Sequence, residues 1–285
     1  MQNAQIQAER FVQLRQMNNY GKTQTMFRPN RLKQRILAGE KSLGTWVQSA
    51  SPALAEMAAI AGLDFFVIDQ EHGPGELQTA IEMMRAGACT PTSSVVRVPP
   101  QDLVYIRRLV EAGVEAILVP MVETADQARA IVNACRFPPR GSRGDAAFVT
   151  RSSSYGLDSG YYERADDNLL IMVQIETSTA VGNAKEIAEV DGVDLIFIGP
   201  SDLASSIGLR GKTNAPEVEE LIAEIVRACR RAGKPLGTVP RIGKSWQQLF
   251  DEGFELIASG SDIAYYNEAL SKLIKDREAH ARQAS

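Results

Sequence analysis

The sequence is poor in the residues that mark several classes of protein. It has three cysteines in 285 residues, an odd number with no short spacing between them. Neither a disulfide framework nor a cysteine-based zinc site is therefore expected. No run of about 18 apolar residues is present to cross a bilayer, and the first residues lack the apolar core of a secretory signal. We expect reduced cysteines, no membrane partner and a cytoplasmic location.

Basic residues are not in excess either. The chain has 31 Lys and Arg against 35 Asp and Glu, a formal net charge of −4. Nucleic acids and anionic membranes bind clustered basic surfaces, so no nucleic-acid partner is predicted.

Histidine is also scarce, since the chain has only two. His280 lies in a polar C-terminal tail, whereas His72 follows a predicted strand. A general base working near neutral pH is therefore predicted at His72, although a lone histidine is more often structural.

What the chain does contain is an alternation of short β-branched runs with longer helix-periodic runs. Several strand candidates are apolar on both faces, which is typical of parallel strands covered by helices. The glycine fingerprint of an open dinucleotide-binding sheet does not follow the first strand, and eight strands favour a closed (β/α)8 TIM barrel. Predicted strands cover residues 43–49, 64–69, 93–98, 115–119, 169–176, 193–198, 235–238 and 255–259. Predicted helices cover about 52–62, 76–88, 102–113, 124–136, 179–189, 215–233, 244–252 and 262–279.

Two further segments differ in composition from this repeat. Residues 1–40 are polar and rich in Gln, Arg and Asn, so they are predicted to be an N-terminal extension with a helix over residues 31–38. The catalytic barrel is then predicted over residues 41–285. Residues 138–167 form a connection long enough to be a lid or a subunit contact.

Two acidic residues stand where predicted strands end. Glu176 closes the run 169–176, and Asp202 follows the run 193–198 through Gly-Pro-Ser. The C-terminal strand ends of a barrel meet at one face, where catalytic groups lie. Two carboxylates there predict a site for a hard divalent cation, Mg²⁺, Mn²⁺ or Co²⁺, with open positions for substrate oxygens. Alternatively these acids cap helices or form ion pairs, as Asp202 could at the start of the next helix.

Other strand ends also supply polar or aromatic side chains. Trp46 lies in the first predicted strand, and Arg97 ends the third. The planar fork of an arginine at the barrel mouth suits a substrate carboxylate or an enolate oxygen. The alternative is a structural ion pair between Arg97 and Asp69 or Glu71.

The turn at residues 198–204 leads into a short predicted helix. Its first backbone amides, those of Ser201 and Asp202, can hold the carboxylate of a 2-keto acid. No lysine stands at a strand end where a Schiff base would form, which favours a metal-dependent route over an imine route.

Several strings, taken together and in order, resemble the HpcH/HpaI family of class II, metal-dependent pyruvate aldolases. This family includes 4-hydroxy-2-oxoheptanedioate aldolase and 2-keto-3-deoxy sugar acid aldolases. The resemblance runs from residue 43 to about residue 270. It is carried by residues 69–73 (DQEHG), 95–99 (VVRVP), 118–122 (LVPMV), 138–144 (PPRGSRG), 173–177 (VQIET) and 198–203 (IGPSDL).

The resemblance implies a role for each matching residue. Glu176 and Asp202 would bind the metal, and Arg97 would bind the pyruvyl oxygen and stabilise the enolate. His72 would act as acid and base through a water, and Gln174 would support the bound keto acid.

The resemblance also implies an assembly. Family members form hexamers, trimers of dimers, in which the C-terminal helix is exchanged between partners. The histidine pairs with an acid of the neighbouring subunit, fourteen residues after the arginine. Here that position is Glu111, where the family has Asp.

The predicted reaction is therefore the reversible cleavage of a 4-hydroxy-2-keto acid to pyruvate and an aldehyde. Aldehyde specificity is expected to depend on loop residues near Trp46 and Gln70, on residues 145–165 and on the neighbouring subunit. One alternative is an acyl-CoA lyase of the citrate lyase β-subunit type, although the sequence has no clear basic cluster for CoA. A second is a non-catalytic barrel that binds a metabolite, which leaves the acid pair, the histidine and the arginine without a role.

Overall fold

The structure is a computed structural model that describes residues 28–283. Eight parallel strands close into a barrel in chain order, so the predicted (β/α)8 fold is confirmed. Each observed strand begins and ends within two residues of its predicted bounds. The strands are β1 Ser42–Val47, β2 Phe65–Asp69, β3 Ser93–Arg97, β4 Ala116–Val119, β5 Leu170–Ile175, β6 Leu195–Ile198, β7 Leu236–Thr238 and β8 Leu256–Ser261.

Helices follow the strands and cover the outside of the barrel. Within residues 28–283, none is both long and apolar enough to span a membrane. They are α1 Arg31–Leu37, α2 Pro52–Ile60, α3 Leu77–Gly87, α4 Leu103–Glu111, α5 Ala125–Cys135, α6 Tyr161–Asn168, α7 Ser178–Gly182, α8 Ala184–Ala188, α9 Pro200–Ser206, α10 Pro216–Arg231, α11 Trp246–Asp251 and α12 Asp262–Gln283.

Strand side chains alternate between two apolar layers, because successive residues of a strand point to opposite faces. Val95 and Met172 belong to the cluster that fills the barrel interior. Their neighbours Val96 and Val173 belong to the outer cluster beneath the helices. This double burial explains why the strands are apolar without alternation in the sequence.

The inner layer becomes polar at the C-terminal ends of the strands. Arg97 lies two residues beyond the inward-facing Val95, and Gln174 lies two residues beyond Met172. Period-two alternation therefore directs these side chains into the mouth of the barrel. Both are buried polar residues, as are Asp69 and Glu176.

The other end of the barrel is closed by α1. Leu32 and Ile36 are fully buried and belong to the inner core, although they lie in the segment predicted as an extension. Asn30 caps the helix by accepting the Lys33 amide at 2.9 Å. Lys33 Nζ also lies 3.0 Å from Asp194 Oδ2, which ties α1 to the start of β6.

The long connection at residues 138–167 is partly helical. It contains α6, where the sequence predicts no helix. Tyr161 and Ala165 of this helix are buried together in a small apolar cluster, against which Phe137 packs. This helix has eight residues and only two buried positions. Its hydrophobic periodicity is therefore too short to distinguish a helix from a loop in the sequence.

The helix predicted over residues 179–189 is two short helices. They meet at Asn183, which ends α7 and precedes α8. Its side-chain amide donates to the backbone oxygen of Glu123 at 2.8 Å. This hydrogen bond holds the junction of α7 and α8 against the loop after β4.

The first turn of the C-terminal helix α12 contacts the barrel. Asp262 accepts the backbone amides of Gln48 at 2.9 Å and Ser49 at 3.0 Å. None of the helix's described residues is buried, and its apolar side chains are exposed at Ile263, Tyr265, Tyr266, Leu270, Leu273 and Ile274.

Candidate active site

The mouth of the barrel is organised by an ion pair between adjacent strands. Asp69 and Arg97 are the last residues of β2 and β3 and are direct partners in the strand register. Arg97 Nε lies 2.9 Å from Asp69 Oδ1, and Arg97 Nη2 lies 2.5 Å from Oδ2. Both side chains are buried, so this two-point bond fixes the plane of the guanidinium.

Asp69 also shapes the loop that follows it. Its Oδ1 accepts the backbone amides of Glu71 at 3.1 Å and His72 at 3.2 Å, and its Oδ2 accepts Gln48 Nε2 at 3.1 Å. Burial alone raises the pKa of the Asp69 carboxyl, but the bond and charge of Arg97, with these other donors, lower it overall. Asp69 is therefore an ionised hub between the arginine and the histidine-bearing loop.

Trp46 forms one wall beside the arginine. The Arg97 guanidinium carbon lies 4.4 Å from the centroid of the Trp46 ring, a cation–π contact. The same ring meets Phe197 of the inner core edge-on, with the centroids 6.2 Å apart. The tryptophan thus joins the apolar interior to the charged mouth.

Glu71 and His72 face the open side of this cluster. Glu71 Oε2 lies 3.2 Å from Arg97 Nη1 and 3.8 Å from His72 Nε2. The His72 side chain is 59% exposed, whereas that of Glu71 is 11% exposed. Burial raises the pKa of the Glu71 carboxyl, and the neighbouring Asp69 and Asp202 add to this against the opposing charges of Arg97 and His72.

Glu176 lies just beyond β5, in the barrel mouth. Its Oε1 accepts the Met121 amide at 2.7 Å, and its Oε2 accepts the side-chain amide of Gln174. The facing backbone is Gly199, where an added Cβ would lie 2.5 Å from Glu176 Oε2. Only glycine leaves room for the carboxylate at this approach of β5 and β6.

Asp202 lies in the first turn of α9, on the exposed rim. Burial raises the pKa of Glu176 to about 7, opposed by the Met121 amide and assisted by the negative charges of Asp202 and Glu71. The three carboxylates therefore interact electrostatically across the barrel mouth. Arg97 pairs with Asp69 and Glu71, so Glu176 and Asp202 are left without a matching positive charge among the described ion pairs.

A family model, HpcH/HpaI aldolase/citrate lyase, matches residues 42–269. The chain belongs to this family. It is 39% identical over 244 residues to the hydroxypyruvate/pyruvate aldolase of Cupriavidus necator, covering 86% of this chain and 91% of the relative. It is 37% identical over 243 residues to the 2-keto-3-deoxy-L-rhamnonate aldolase of Escherichia coli, covering 85% and 91%. An HpcH/HpaI aldolase/citrate lyase family structure from Burkholderia cenocepacia superposes with a TM-score of 0.82 at 32% identity, covering 87% and 99%.

The donor set of this HpcH/HpaI site fits a divalent cation. Glu176 and Asp202 supply hard carboxylate oxygens, and their uncompensated charge is what a cation would neutralise. Gln174 Oε1 is buried and has no hydrogen-bond partner in the described part of the chain, so it has capacity for a ligand. Within residues 28–283, no group of three or more His, Cys, Asp or Glu is arranged to hold a metal.

Seven of the eight residues singled out from the sequence lie around this mouth. They are Trp46, His72, Arg97, Gln174, Glu176, Ser201 and Asp202. Glu111 is the exception, because α4 runs away from the mouth and ends at this residue. No hydrogen bond or ion pair within residues 28–283 joins Glu111 to His72, and the pairing of Glu111 with a histidine stays a prediction.

The HpcH/HpaI site also contains two acidic residues to which the sequence analysis gives no catalytic role. Asp69 holds Arg97 and two loop amides, and Glu71 lies between Arg97 and His72. Both were visible as strand-end acids, but the sequence does not reveal which acid binds which base. The ion-pair alternative for Arg97 is therefore realised, with both candidate partners.

Proposed function

We propose that the protein is a divalent-metal-dependent aldolase that reversibly cleaves a 4-hydroxy-2-keto acid to pyruvate and an aldehyde. The aldolase class is supported by family membership and by the two aldolase relatives. The metal requirement and the residue roles are supported by one observation. The carboxylates of Glu176 and Asp202 have no matching positive charge, and they share the barrel mouth with Arg97 and His72. We place the substrate between the two carboxylates and the side chains of Arg97 and His72.

Glu176 and Asp202 would hold the cation, and the amides of Ser201 and Asp202 together with Gln174 would support the substrate carboxylate. When bound, the cation would polarise the 2-keto group and neutralise charge that develops there. Trp46 and the rim of the barrel exclude water from one side of the substrate. Mg²⁺, Mn²⁺ and Co²⁺ all suit such oxygen ligands.

Cleavage begins with removal of a proton from the C4 hydroxyl. His72 accepts this proton through a water, and Glu71 lies beside it, with Oε2 3.8 Å from His72 Nε2. The C4 hydroxyl becomes the aldehyde carbonyl as the C3–C4 bond breaks, and that electron pair forms the C2–C3 double bond of the pyruvate enolate. Arg97 donates to the enolate oxygen, and protonation at C3 then yields pyruvate.

Chelation tests the metal requirement directly. The protein is treated exhaustively with a chelator, dialysed and assayed for exchange of the pyruvate methyl protons with D₂O. We expect exchange to be lost and then restored by Mg²⁺, Mn²⁺ or Co²⁺, because the enolate needs the cation's charge. Full exchange in the chelated protein would contradict the proposal.

A screen of aldehydes with pyruvate as the nucleophile tests the reaction class. We expect condensation with at least one aldehyde in the restored protein. A CoA titration run beside the screen separates the citrate-lyase alternative, which predicts saturable CoA binding. Ligand binding without condensation or exchange would instead favour a metabolite-binding barrel.

We also propose that the chain works as a homo-oligomer, a hexamer built as a trimer of dimers. The exposed apolar side chains of α12 support this, because a soluble helix rarely leaves its whole length unpacked. An exchanged helix would cover them, and Glu111 would then reach a neighbour's His72. Sedimentation equilibrium of the full chain should give the hexamer mass; a monomer at micromolar concentration would contradict it. The cytoplasmic location stays a prediction.

A further inference from the structure

The loop that carries His72 is fixed at its start by Asp69, and a second set of contacts fixes its end. The Gln70 amide donates to the backbone oxygen of Arg97 at 2.9 Å, which joins the start of the loop to β3. The remainder, residues 73–76, leads over the surface to α3. Without a further tie, only the first residues of this segment would hold the histidine in place.

The side chain of Gln70 provides that tie. It is only 6% exposed, and its terminal amide lies 2.8 Å from the Tyr105 hydroxyl on α4. In the alternative orientation of this amide, its nitrogen faces the Tyr105 hydroxyl and the backbone oxygens of Gly75 at 3.1 Å and Glu76 at 2.9 Å, and its two hydrogens can donate to two of these three oxygens. One side chain thus joins the start of the loop, the end of the loop and a neighbouring helix.

The local sequence fits this closure. An added Cβ at Gly75 would lie 2.9 Å from the terminal amide of Gln70 and 2.9 Å from the Cβ of Ala50. An added Cβ at Gly73 would lie 2.3 Å from the backbone oxygen of Asp69. Glycine at both positions therefore allows the loop to fold back onto its own beginning.

Tyr105 is held independently of the loop. Its backbone amide donates to Asp102 Oδ1, the cap of α4, at 2.8 Å. Burial raises the pKa of its hydroxyl to about 12, with smaller contributions of opposite sign from Arg108 and from Asp102 and Glu76. The hydroxyl therefore stays neutral and keeps its hydrogen bond across the working pH range.

We infer that Gln70 and Tyr105 are positioning residues, which hold the loop of residues 70–76 so that the His72 imidazole stays beside Glu71. Neither residue touches the reacting atoms. The inference deepens the proposed function and rests on it for its effect on catalysis. Its structural part, the fixing of His72, can be tested without any activity.

Tyr105→Phe is the sharpest variant, because it removes one oxygen and keeps the ring. We expect kcat for cleavage to fall about tenfold, the size expected when one neutral hydrogen bond that orients a catalytic group is lost. KM and the melting temperature should change little, because the substrate contacts and the core remain. Gln70→Ala should lower kcat at least as much, and the double variant no further, because the pair acts as one unit.

Tyr162→Phe is the matched control. Its hydroxyl donates to Asp145 Oδ1 at 2.6 Å, in the long connection and not in the His72 loop. This variant loses a tyrosine hydrogen bond to a polar partner, so kcat should stay at the wild-type value. Equal losses of kcat in Tyr105→Phe and Tyr162→Phe would overturn the inference.

Histidine NMR separates this inference from the proposed function. With only two histidines in the chain, a histidine-labelled sample gives two imidazole signals, and His280 on α12 serves as the internal reference. Tyr105→Phe should shift or broaden the His72 signal and leave that of His280 unchanged, even if no aldol activity is found. An unchanged His72 signal would overturn the inference, whatever happens to kcat. If Gln70→Ala unfolds, Tyr105→Phe alone decides.

Discussion

Glu176→Gln should reduce kcat/KM for cleavage by about a thousandfold or more, because it removes the only buried carboxylate of the proposed cation site. The substitution keeps the shape of the side chain and its contact with the Met121 amide. Affinity for Mn²⁺, measured by titration calorimetry, should fall in parallel with activity. A wild-type value of kcat/KM in the variant would contradict the assignment of Glu176.

The pKa of Glu176, raised to about 7, adds a pH signature to this prediction. Below that pH the metal-free carboxyl holds a proton, which a cation must displace. The Mn²⁺ concentration needed for half-maximal activity should therefore rise about tenfold for each pH unit below 7 and level off above it. The Glu176→Gln variant has no carboxyl to protonate at this position, so any Mn²⁺ affinity that it retains should not show this dependence on pH.

Glu255→Gln is the matched control for the glutamate substitution. Burial also raises the pKa of Glu255, and its carboxylate accepts the Leu236 amide at 2.8 Å, just before β8 at the opposite end of the barrel. The same chemical change there should leave kcat/KM and Mn²⁺ affinity within about twofold of wild type. Loss of Mn²⁺ affinity in this variant would mean that the first result reports a general defect.

Arg97→Lys should lower kcat by about a hundredfold or more while keeping the positive charge. Lysine has no planar fork, so it cannot make the two-point bond to Asp69 or stack in the same way on Trp46. Its ammonium group would then be misplaced for the enolate oxygen. The rate of pyruvate methyl exchange measures this step without the aldehyde.

The same variant should lower the free energy of unfolding by about 1 to 3 kcal/mol, because the buried Asp69 carboxylate loses part of its hydrogen bonding. Arg143→Lys separates the two effects. Arg143 is also buried, and its guanidinium carbon lies 4.3 Å from the centroid of the Phe137 ring, in the long connection. It should lose comparable stability, measured by urea denaturation, with little loss of kcat. Equal activity losses in both variants would contradict a specific role for Arg97.

The barrel itself was predictable because its strands are buried on both faces and its helices are amphipathic. Strands and helices of these kinds differ in hydrophobic periodicity and in residue composition along their whole length. Elements with weak patterns were not predictable. Helix α6 is short and polar, and the break at Asn183 depends on a hydrogen bond to Glu123, sixty residues earlier.

The members of the site were also predictable, but their pairing was not. Strand ends bring Glu176, Asp202, His72 and Arg97 to one face by topology alone. The two-point hydrogen bond between the Arg97 guanidinium and Asp69 could not be predicted from the sequence, because it depends on the strand register and on side-chain rotamers. The contact between Gln70 and Tyr105 joins positions 35 residues apart and has no local signal. The pairing of Glu111 with a histidine depends on a second copy of the chain and stays a prediction.

The proposed reaction depends on Glu176 and Asp202 together holding a cation that a keto acid can chelate. A crystal of the protein grown with Mn²⁺ and pyruvate, measured for anomalous scattering, tests it most directly. We predict one strong peak about 2.2 Å from a carboxylate oxygen of each acid, with pyruvate oxygens completing the coordination. Pyruvate bound in the barrel mouth with no peak between the two acids, or a peak at other ligands, would contradict it.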